Sequence, residues 1–225
     1  LDPDCGLEAS VHYTPHDMIG GDFYAVEQVN AAQIVFLLAD VMGHGTSAAL
    51  YTMYLRSLWQ EYFELFPRID KFIGQLNQQL HQLMSNNFSF AAAICGLIDL
   101  EKGHVSLVGG GIPSPFLFKN KEEVIRPDVS GFALGMLPSS NYAIQTSTFK
   151  PGDVLFLFTD GAVEIMDGSQ KILGEDGLQE ILATLGYPHK KNTTHQKIEE
   201  ALVNYSGDIA LNDDVTFLEF RIPEK

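Results

Sequence analysis

The sequence contains few cysteines, few basic residues and no long apolar run. Cys5 and Cys95 are its only cysteines, and their wide separation gives neither a disulfide framework nor metal-ligand spacing. Lysine and arginine number 14 against 29 aspartates and glutamates, so the formal net charge is −15. Such a charge disfavours nucleic acid and anionic membranes as partners. Without a signal peptide or a run of roughly 18 apolar residues, we expect a cytoplasmic protein with no membrane span.

The composition otherwise favours a sizeable core, because 45% of the residues are hydrophobic and only 19% are charged. We expect residues 1–225 to form one domain. The chain opens at Leu1 without an initiator methionine, so we also expect this domain to be excised from a longer regulatory protein.

Hydrophobic periodicity predicts strands in runs and helices in pairs. The order is strands, two helices, strands, two helices and a final strand. This is not the strict alternation of a parallel doubly wound sheet, so we expect an α+β fold with antiparallel sheets covered by helix pairs. The predicted strands span 7–13, 20–26, 33–40, 90–100, 104–110, 115–119, 153–160 and 214–222. The predicted helices span 46–65, a segment after 70, and segments around 178–185 and 198–205.

Four aspartates share one local setting at the ends of predicted strands. Asp22 follows a glycine pair, and Asp40 and Asp160 each end a buried apolar run before a glycine-containing turn. Asp213 lies next to Asp214, just before the last strand. Each aspartate alone is more simply read as a turn or capping residue. Their joint pattern indicates that strand ends bring them together.

Converging carboxylates require cations or protons, since two charges 4 Å apart repel by roughly 4 kcal/mol at an effective dielectric of 20. Oxygen ligands without histidine or cysteine suit Mg²⁺ or Mn²⁺ rather than zinc. Two such ions sharing one bridging carboxylate lower the pKa of a water between them, and this water attacks a phosphoryl group that the ions hold. The glycines beside Asp40 would also let the Val41 carbonyl reach an ion.

Four motifs occur in the order expected for one family: "GGDFY", "ADVMGHGTSAAL", "FTDGAVE" and "NDDVTFLEF". They resemble the SpoIIE/RsbU-type branch of the PPM (protein phosphatase 2C-like) metal-dependent serine/threonine phosphatases. The likeness runs over residues 20–220. It implies a four-layer α-β-β-α sandwich, with two mainly antiparallel sheets flanked by helix pairs and two Mn²⁺ or Mg²⁺ ions at one end of the sheets.

The resemblance also assigns roles to residues. It implies that Asp40 bridges both metals and that the Val41 carbonyl binds one of them. Asp160 and Asp213 resemble ligands of the other metal, and Asp22 resembles the acid that holds the second. The remaining candidates are Asp214, a less frequent ligand, and His44, which is either a general acid for the leaving oxygen or a helix cap. The sequence departs from the family pattern at Ile112, where the family usually has histidine, and it has no obvious arginine near the site.

The same resemblance implies partners. We expect a phosphoserine or phosphothreonine protein as substrate, such as an anti-sigma-factor antagonist of the STAS type. We also expect an upstream receiver or sensor domain and possible homodimerisation. Helix 46–65 would then offer exposed aromatics (Tyr51, Trp59 and Phe63) as a switch or dimer surface, unless these side chains cover the neighbouring sheet.

Three alternatives stay open at this point. The chain could be a catalytically weak module of the same fold that binds and regulates a signalling partner. It could be a diguanylate cyclase, since "GGDFY" superficially resembles GGDEF, although that fold alternates strands and helices. It could also be a structural α+β domain whose acids are ordinary turn residues.

Overall fold

The computed structural model describes residues 1–2, 5–43, 45–84, 89–119, 123–188, 194–207 and 211–224. In these ranges the chain forms ten strands and four α-helices. The strands are β1 (Glu8–Thr14), β2 (Asp22–Asn30), β3 (Gln33–Val41), β4 (Ala91–Asp99), β5 (His104–Gly110), β6 (Phe116–Lys119), β7 (Glu123–Ile125), β8 (Gln145–Thr148), β9 (Val154–Phe158) and β10 (Val215–Arg221). The helices are α1 (Gly45–Glu61), α2 (Ile69–Met84), α3 (Gly174–Leu185) and α4 (His195–Tyr205).

The strands form two five-stranded sheets in which every pair of neighbours is antiparallel. The first sheet has the order β1-β10-β9-β6-β7 and the second has the order β2-β3-β4-β5-β8. The predicted α+β architecture is therefore confirmed. It also removes the diguanylate cyclase alternative, because the described strands do not alternate with helices in a parallel sheet.

Side-chain alternation along the central strands separates three apolar layers. On β3, Val35 and Leu37 point to the outer face of the second sheet, where α1 and α2 pack, whereas Phe36 points between the two sheets. On β10, Phe217 faces α3 and α4, and Leu218 faces the inter-sheet core. These alternations give the four-layer α-β-β-α sandwich that the resemblance implied.

Helix α1 differs from the prediction in its length and in the face that it exposes. It ends at Glu61, and a 3-10 turn at Phe63–Leu65 follows. The prediction that Trp59 is exposed was wrong: its side chain is fully buried, and the indole Nε1 donates to Glu27 Oε2 at 3.1 Å. Tyr51 and Phe63 are partly buried against the same core. The alternative reading, that these aromatics cover the adjacent sheet, is the better one.

Two further expectations concern element ends and edges. Gly186 ends α3 in the left-handed conformation, as its place in the sequence predicted. Strand β1 is exposed at most positions instead of half-buried, because it is the edge strand of its sheet. No helix in the described ranges is both long enough and apolar enough to cross a membrane.

Candidate metal centre

The four predicted aspartates lie at the same end of the two sheets. Asp22 on β2 and Asp40 on β3 are direct cross-strand partners. Strand alternation places both side chains on the face of the sheet that points between the two sheets. Asp160 opens a 3-10 turn just after β9 of the other sheet, and Asp213 lies two residues before β10. Antiparallel β9 and β10 thus bring Asp160 and Asp213 to the end where Asp22 and Asp40 lie. These residues form the four-aspartate site.

Asp22 is buried at the floor of this site, with only 9% of its surface exposed. Its Oδ2 accepts hydrogen bonds from Thr159 Oγ1 at 2.8 Å and from Thr216 Oγ1 at 2.5 Å. Its Oδ1 is buried and has no hydrogen-bond partner. Burial raises the pKa of Asp22, the two threonine bonds oppose this rise, and the charges of Asp214 and Asp160 add to it.

Asp160 is a close neighbour of Asp40, and its charge is one of those that act on the pKa of the Asp40 carboxyl group. Burial is the first cause of the raised pKa of Asp40, and the neighbouring charges of Asp22, Asp160 and Asp213 raise it further. Asp160 Oδ1 is the second buried oxygen of the site without a partner. The carboxyl groups therefore lie close enough to require protons or cations between them.

Asp213 and Glu164 extend this acidic environment toward solvent. Burial raises the pKa of the Asp213 carboxyl, and the charges of Asp160 and Asp214 contribute, whereas the Asp214 amide and His16 lower it. Glu164, one turn after Asp160, also has a raised pKa, caused by desolvation and by the charges of Asp160 and Asp213. Glu164 and His16 are thus part of the electrostatics of the site.

Asp214 shapes the wall of the site through the backbone. It is 2% exposed, and its Oδ1 and Oδ2 accept the amide hydrogens of His16 at 2.7 Å and of Gly21 at 2.6 Å. A Cβ on Gly20 would lie 2.0 Å from Asp214 Oδ2, and a Cβ on Gly161 would lie 2.0 Å from the Asp214 carbonyl. Only glycine fits at both positions, so Asp214 holds the segment before β2 against the end of β10.

The Val41 backbone is held at the same end of the sheets. Its amide donates to the Gly21 carbonyl at 3.1 Å, and a Cβ on Gly21 would come within 2.7 Å of the Val41 oxygen. The glycine pair that precedes Asp22 is therefore needed for the close approach of the backbone to the Val41 carbonyl. His44 lies outside the described residues.

The ligand atoms of the four-aspartate site are of the kind that divalent cations such as Mg²⁺ and Mn²⁺ bind. They are carboxylate oxygens, and Asp22 Oδ1 and Asp160 Oδ1 are buried with no partner, which is costly unless a cation or proton satisfies them. Among the residues that the structure describes, no three His, Cys, Asp or Glu side chains stand arranged as a metal cage. The fit to a cation therefore rests on the kind of ligand and on the two buried oxygens without partners.

Sequence reasoning missed Thr159, Thr216, His16 and Glu164. Each threonine lies at the end of a strand, close to a predicted acid, and alternation along the strand points its side chain between the sheets. Strand alternation could therefore have found both. His16 could not be found in this way, because its amide and side chain are fixed by residues about two hundred positions away, at Asp214 and at the Leu211 carbonyl. Ile112, which departs from the family pattern, packs in the inter-sheet core.

Two packed antiparallel sheets flanked by helix pairs are the fold of protein phosphatase 2C-like domains. The SiaA-PP2C domain of Pseudomonas aeruginosa has this fold, with a TM-score of 0.81 at 24% identity over 95% of this chain and 85% of that domain. RsbX in complex with magnesium gives a TM-score of 0.69 at 19% identity, covering 96% of this chain and 95% of RsbX.

The family model for stage II sporulation protein E (SpoIIE) matches residues 30–223, and the chain belongs to this family. Phosphoserine phosphatase RsbP of Bacillus subtilis (strain 168) is 25% identical over 161 residues, covering 70% of this chain. The chain spans well under two thirds of the length of the curated relatives that it matches, 40% in the case of RsbP.

Proposed function

We propose that this chain is a metal-dependent phosphatase that hydrolyses phosphoserine or phosphothreonine on a regulatory protein. The observation that carries the proposal is the four-aspartate site, where two buried carboxylate oxygens lack partners. Membership of the SpoIIE family supports it, as does similarity to RsbP, which is a phosphoserine phosphatase.

In this proposal Asp22, Asp40, Asp160 and Asp213, with the Val41 carbonyl, hold two Mn²⁺ or Mg²⁺ ions. The ions would supply a water of lowered pKa and neutralise the charge on the phosphoryl group during its in-line displacement. The likeness to RsbX, which was solved with magnesium, supports a divalent cation.

The protein's own residues have three tasks in this scheme. Asp40 carries the central carboxylate, opposite its cross-strand partner Asp22 and under the influence of the charges of Asp160 and Asp213. Thr159 and Thr216 orient the Asp22 carboxylate by donating to one of its oxygens, which leaves the other free to bind. Asp214 keeps the backbone before β2 closed against the site.

The substrate and partners are further parts of the proposal. We propose a folded phosphoprotein of the anti-sigma-factor antagonist (STAS) type as substrate, an upstream receiver or sensor domain as regulator, homodimerisation, and action in the cytoplasm. They follow from the resemblance of the motifs, and the similarity to RsbP is consistent with them.

The test is phosphate release from a phosphoserine protein and from an aryl phosphate, measured with the chain freed of metal and then titrated with Mn²⁺. We expect turnover that appears with Mn²⁺ and disappears with a chelator. Mn²⁺ binding without turnover of either substrate would reject the phosphatase and favour a regulatory binding module. Failure to bind Mn²⁺ would favour a purely structural domain.

A further inference from the structure

A cavity opens directly beside the four-aspartate site. Its volume is about 230 Å³, and Asp213 and Gly161 form the wall that it shares with the site. Ligand pockets for drug-sized molecules usually measure about 300–1,000 Å³, so this cavity has room for one long side chain rather than for a cofactor. We call it the side pocket.

The lining of the side pocket combines apolar walls with carboxyl groups. Ile165, Met166 and Leu211 supply the apolar surface, and Glu164, Asp167 and Asp213 supply the carboxyl groups. In the described part of the chain, no lysine, arginine or histidine lines it. Apolar walls together with carboxyl groups match a side chain that has an aliphatic stem and a cationic end.

Backbone hydrogen bonds hold the wall of the side pocket that carries Glu164 and Asp167. The amide of Glu164 donates to the Asp160 carbonyl at 2.8 Å, which ties this wall to the four-aspartate site. Asp167 Oδ1 accepts the amide hydrogens of Ser169 at 2.8 Å and of Lys171 at 3.0 Å, so its carboxylate is fixed in place. This wall of the side pocket is therefore held in place by the backbone of the segment that follows Asp160.

Lys171 and His16 lie near the side pocket without lining it. The charge of Lys171 acts on Asp167. The His16 imidazole contacts the Leu211 carbonyl at 2.8 Å on the other side. Glu164 is exposed and has no cation of the protein beside it among its described interactions, so it is the acid best placed to meet a charge brought by a substrate.

We propose that the side pocket binds a lysine or arginine side chain of the phosphoprotein at a position flanking the phosphorylated residue in sequence, and that Glu164 is its main charge partner. The inference rests on the proposed phosphatase function, because only a phosphoresidue bound at the four-aspartate site brings its neighbours to this pocket. The side pocket then selects substrates that carry a basic residue beside the phosphoserine.

The experiment uses synthetic phosphoserine peptides that differ at one position. Lys, Arg, norleucine or Glu is placed in turn at each position flanking the phosphoserine, and kcat/KM is measured with Mn²⁺ for each peptide. We expect a preference of up to about fivefold for Lys or Arg over norleucine in at least one position, the size of an exposed ion pair, because norleucine keeps the aliphatic stem and lacks the charge.

Three variants assign that preference to the side pocket. Glu164→Gln should reduce the ratio between the Lys and norleucine peptides toward one, and Glu164→Lys should favour the Glu peptide. Glu180→Lys is the matched control, because Glu180 is exposed on α3 and does not line the side pocket. Only the ratio between peptides is interpreted, so a change in the overall rate of a variant does not affect the conclusion.

Binding is measured in parallel through the NMR signal of the Met166 methyl group, which reports a peptide that binds without being hydrolysed. Equal behaviour of the basic and neutral peptides in both measurements overturns the inference. So does a Glu164→Gln variant that binds fewer Mn²⁺ ions and keeps the peptide preference, since Glu164 would then be a metal ligand. Failure of the proposed function looks different, because neither the peptides nor an aryl phosphate would be turned over.

Discussion

The protein buries carboxyl groups at two places, one on strand β10 and one beside its start, and their surroundings are opposite in kind. On the face toward α3 and α4, Glu219 accepts hydrogen bonds from Tyr187 Oη at 2.5 Å, His195 Nε2 at 2.9 Å and Arg221 Nη2 at 3.0 Å. On the inter-sheet side, at the start of the strand, Asp22 and Asp40 meet other acids, and the site retains carboxylate oxygens without partners.

The pKa shifts of the two places differ in sign. Burial by itself raises the pKa of Glu219, but its bonds to His195 and Tyr187 and the charges of Arg221 and His195 outweigh burial and lower it. Burial and like charges together raise the pKa values of Asp22 and Asp40. A carboxylate satisfied by its own protein is a structural element, whereas carboxyl groups gathered without cations indicate that something outside the chain supplies the charge.

Substitutions in the four-aspartate site and at Glu219 should differ most in their effect on catalysis. Asp40→Asn should lower Mn²⁺-dependent aryl phosphate turnover by at least about 10²–10³-fold, because the carboxylate shared between the proposed ions is lost. Glu219→Gln, which also neutralises a buried acid, should change turnover little. Circular dichroism of both variants checks the fold. Equal losses of turnover in the two variants would contradict the assignment of catalysis to the four-aspartate site.

Stability should respond in the opposite order. Glu219→Gln should lower the free energy of unfolding by about 2 kcal/mol at neutral pH, since Arg221 and His195 lose their buried partner. Because the pKa of Glu219 is lowered in the fold, this difference should be present above its unfolded value of about 4.3 and shrink as the pH falls below it. Urea unfolding over a pH series measures it, and a difference that grows toward acid would contradict the assignment.

Metal affinity should depend on the threonines that orient Asp22. Thr216→Val removes one donor to Asp22 Oδ2 at nearly constant volume, so the carboxyl group should hold its proton more strongly and the affinity for Mn²⁺ should fall about 10-fold. Thr146→Val on the exposed strand β8 is the control. Calorimetric titration compares the two, and an unchanged affinity in Thr216→Val would show that this threonine serves only the fold.

The smallest expected effect is a gain of stability in the metal-free protein. Asp40→Asn should raise the free energy of unfolding by ~1 kcal/mol near neutral pH, because it removes a carboxyl group whose pKa is raised by burial and by three neighbouring acids. Above about pH 4 the unfolded wild type holds fewer protons than the fold, so wild-type stability falls with rising pH and the gain should grow. A variant that is less stable without metal at every pH would assign Asp40 a structural role.

The sequence was a good guide wherever strand alternation decides the outcome. The apolar run 33–40 became β3, and the acids at strand ends came together because antiparallel strands of both sheets finish at one end. The motifs also indicated the sandwich. The local sequence pattern was insufficient where long-range contacts determine the role of a residue. The burial of Trp59 depends on the layer beneath α1. The structural role of Asp214 depends on its distant partners His16 and Gly21.

The side pocket could not be predicted from the sequence for the same reason. Glu164 reads as an ordinary polar residue after a turn, and only the fold places it beside Asp213, which is 49 residues further along the chain. The electrostatic environment of a site is set by which segments the sheets bring together, and a single sequence carries no direct signal for it.

Anomalous X-ray diffraction from crystals grown with Mn²⁺ tests the central claim most directly. We predict two manganese peaks about 3.5–4 Å apart, enclosed by Asp22, Asp40, Asp160 and Asp213. Crystals soaked at saturating Mn²⁺ that show no peak at this end of the sheets would contradict it.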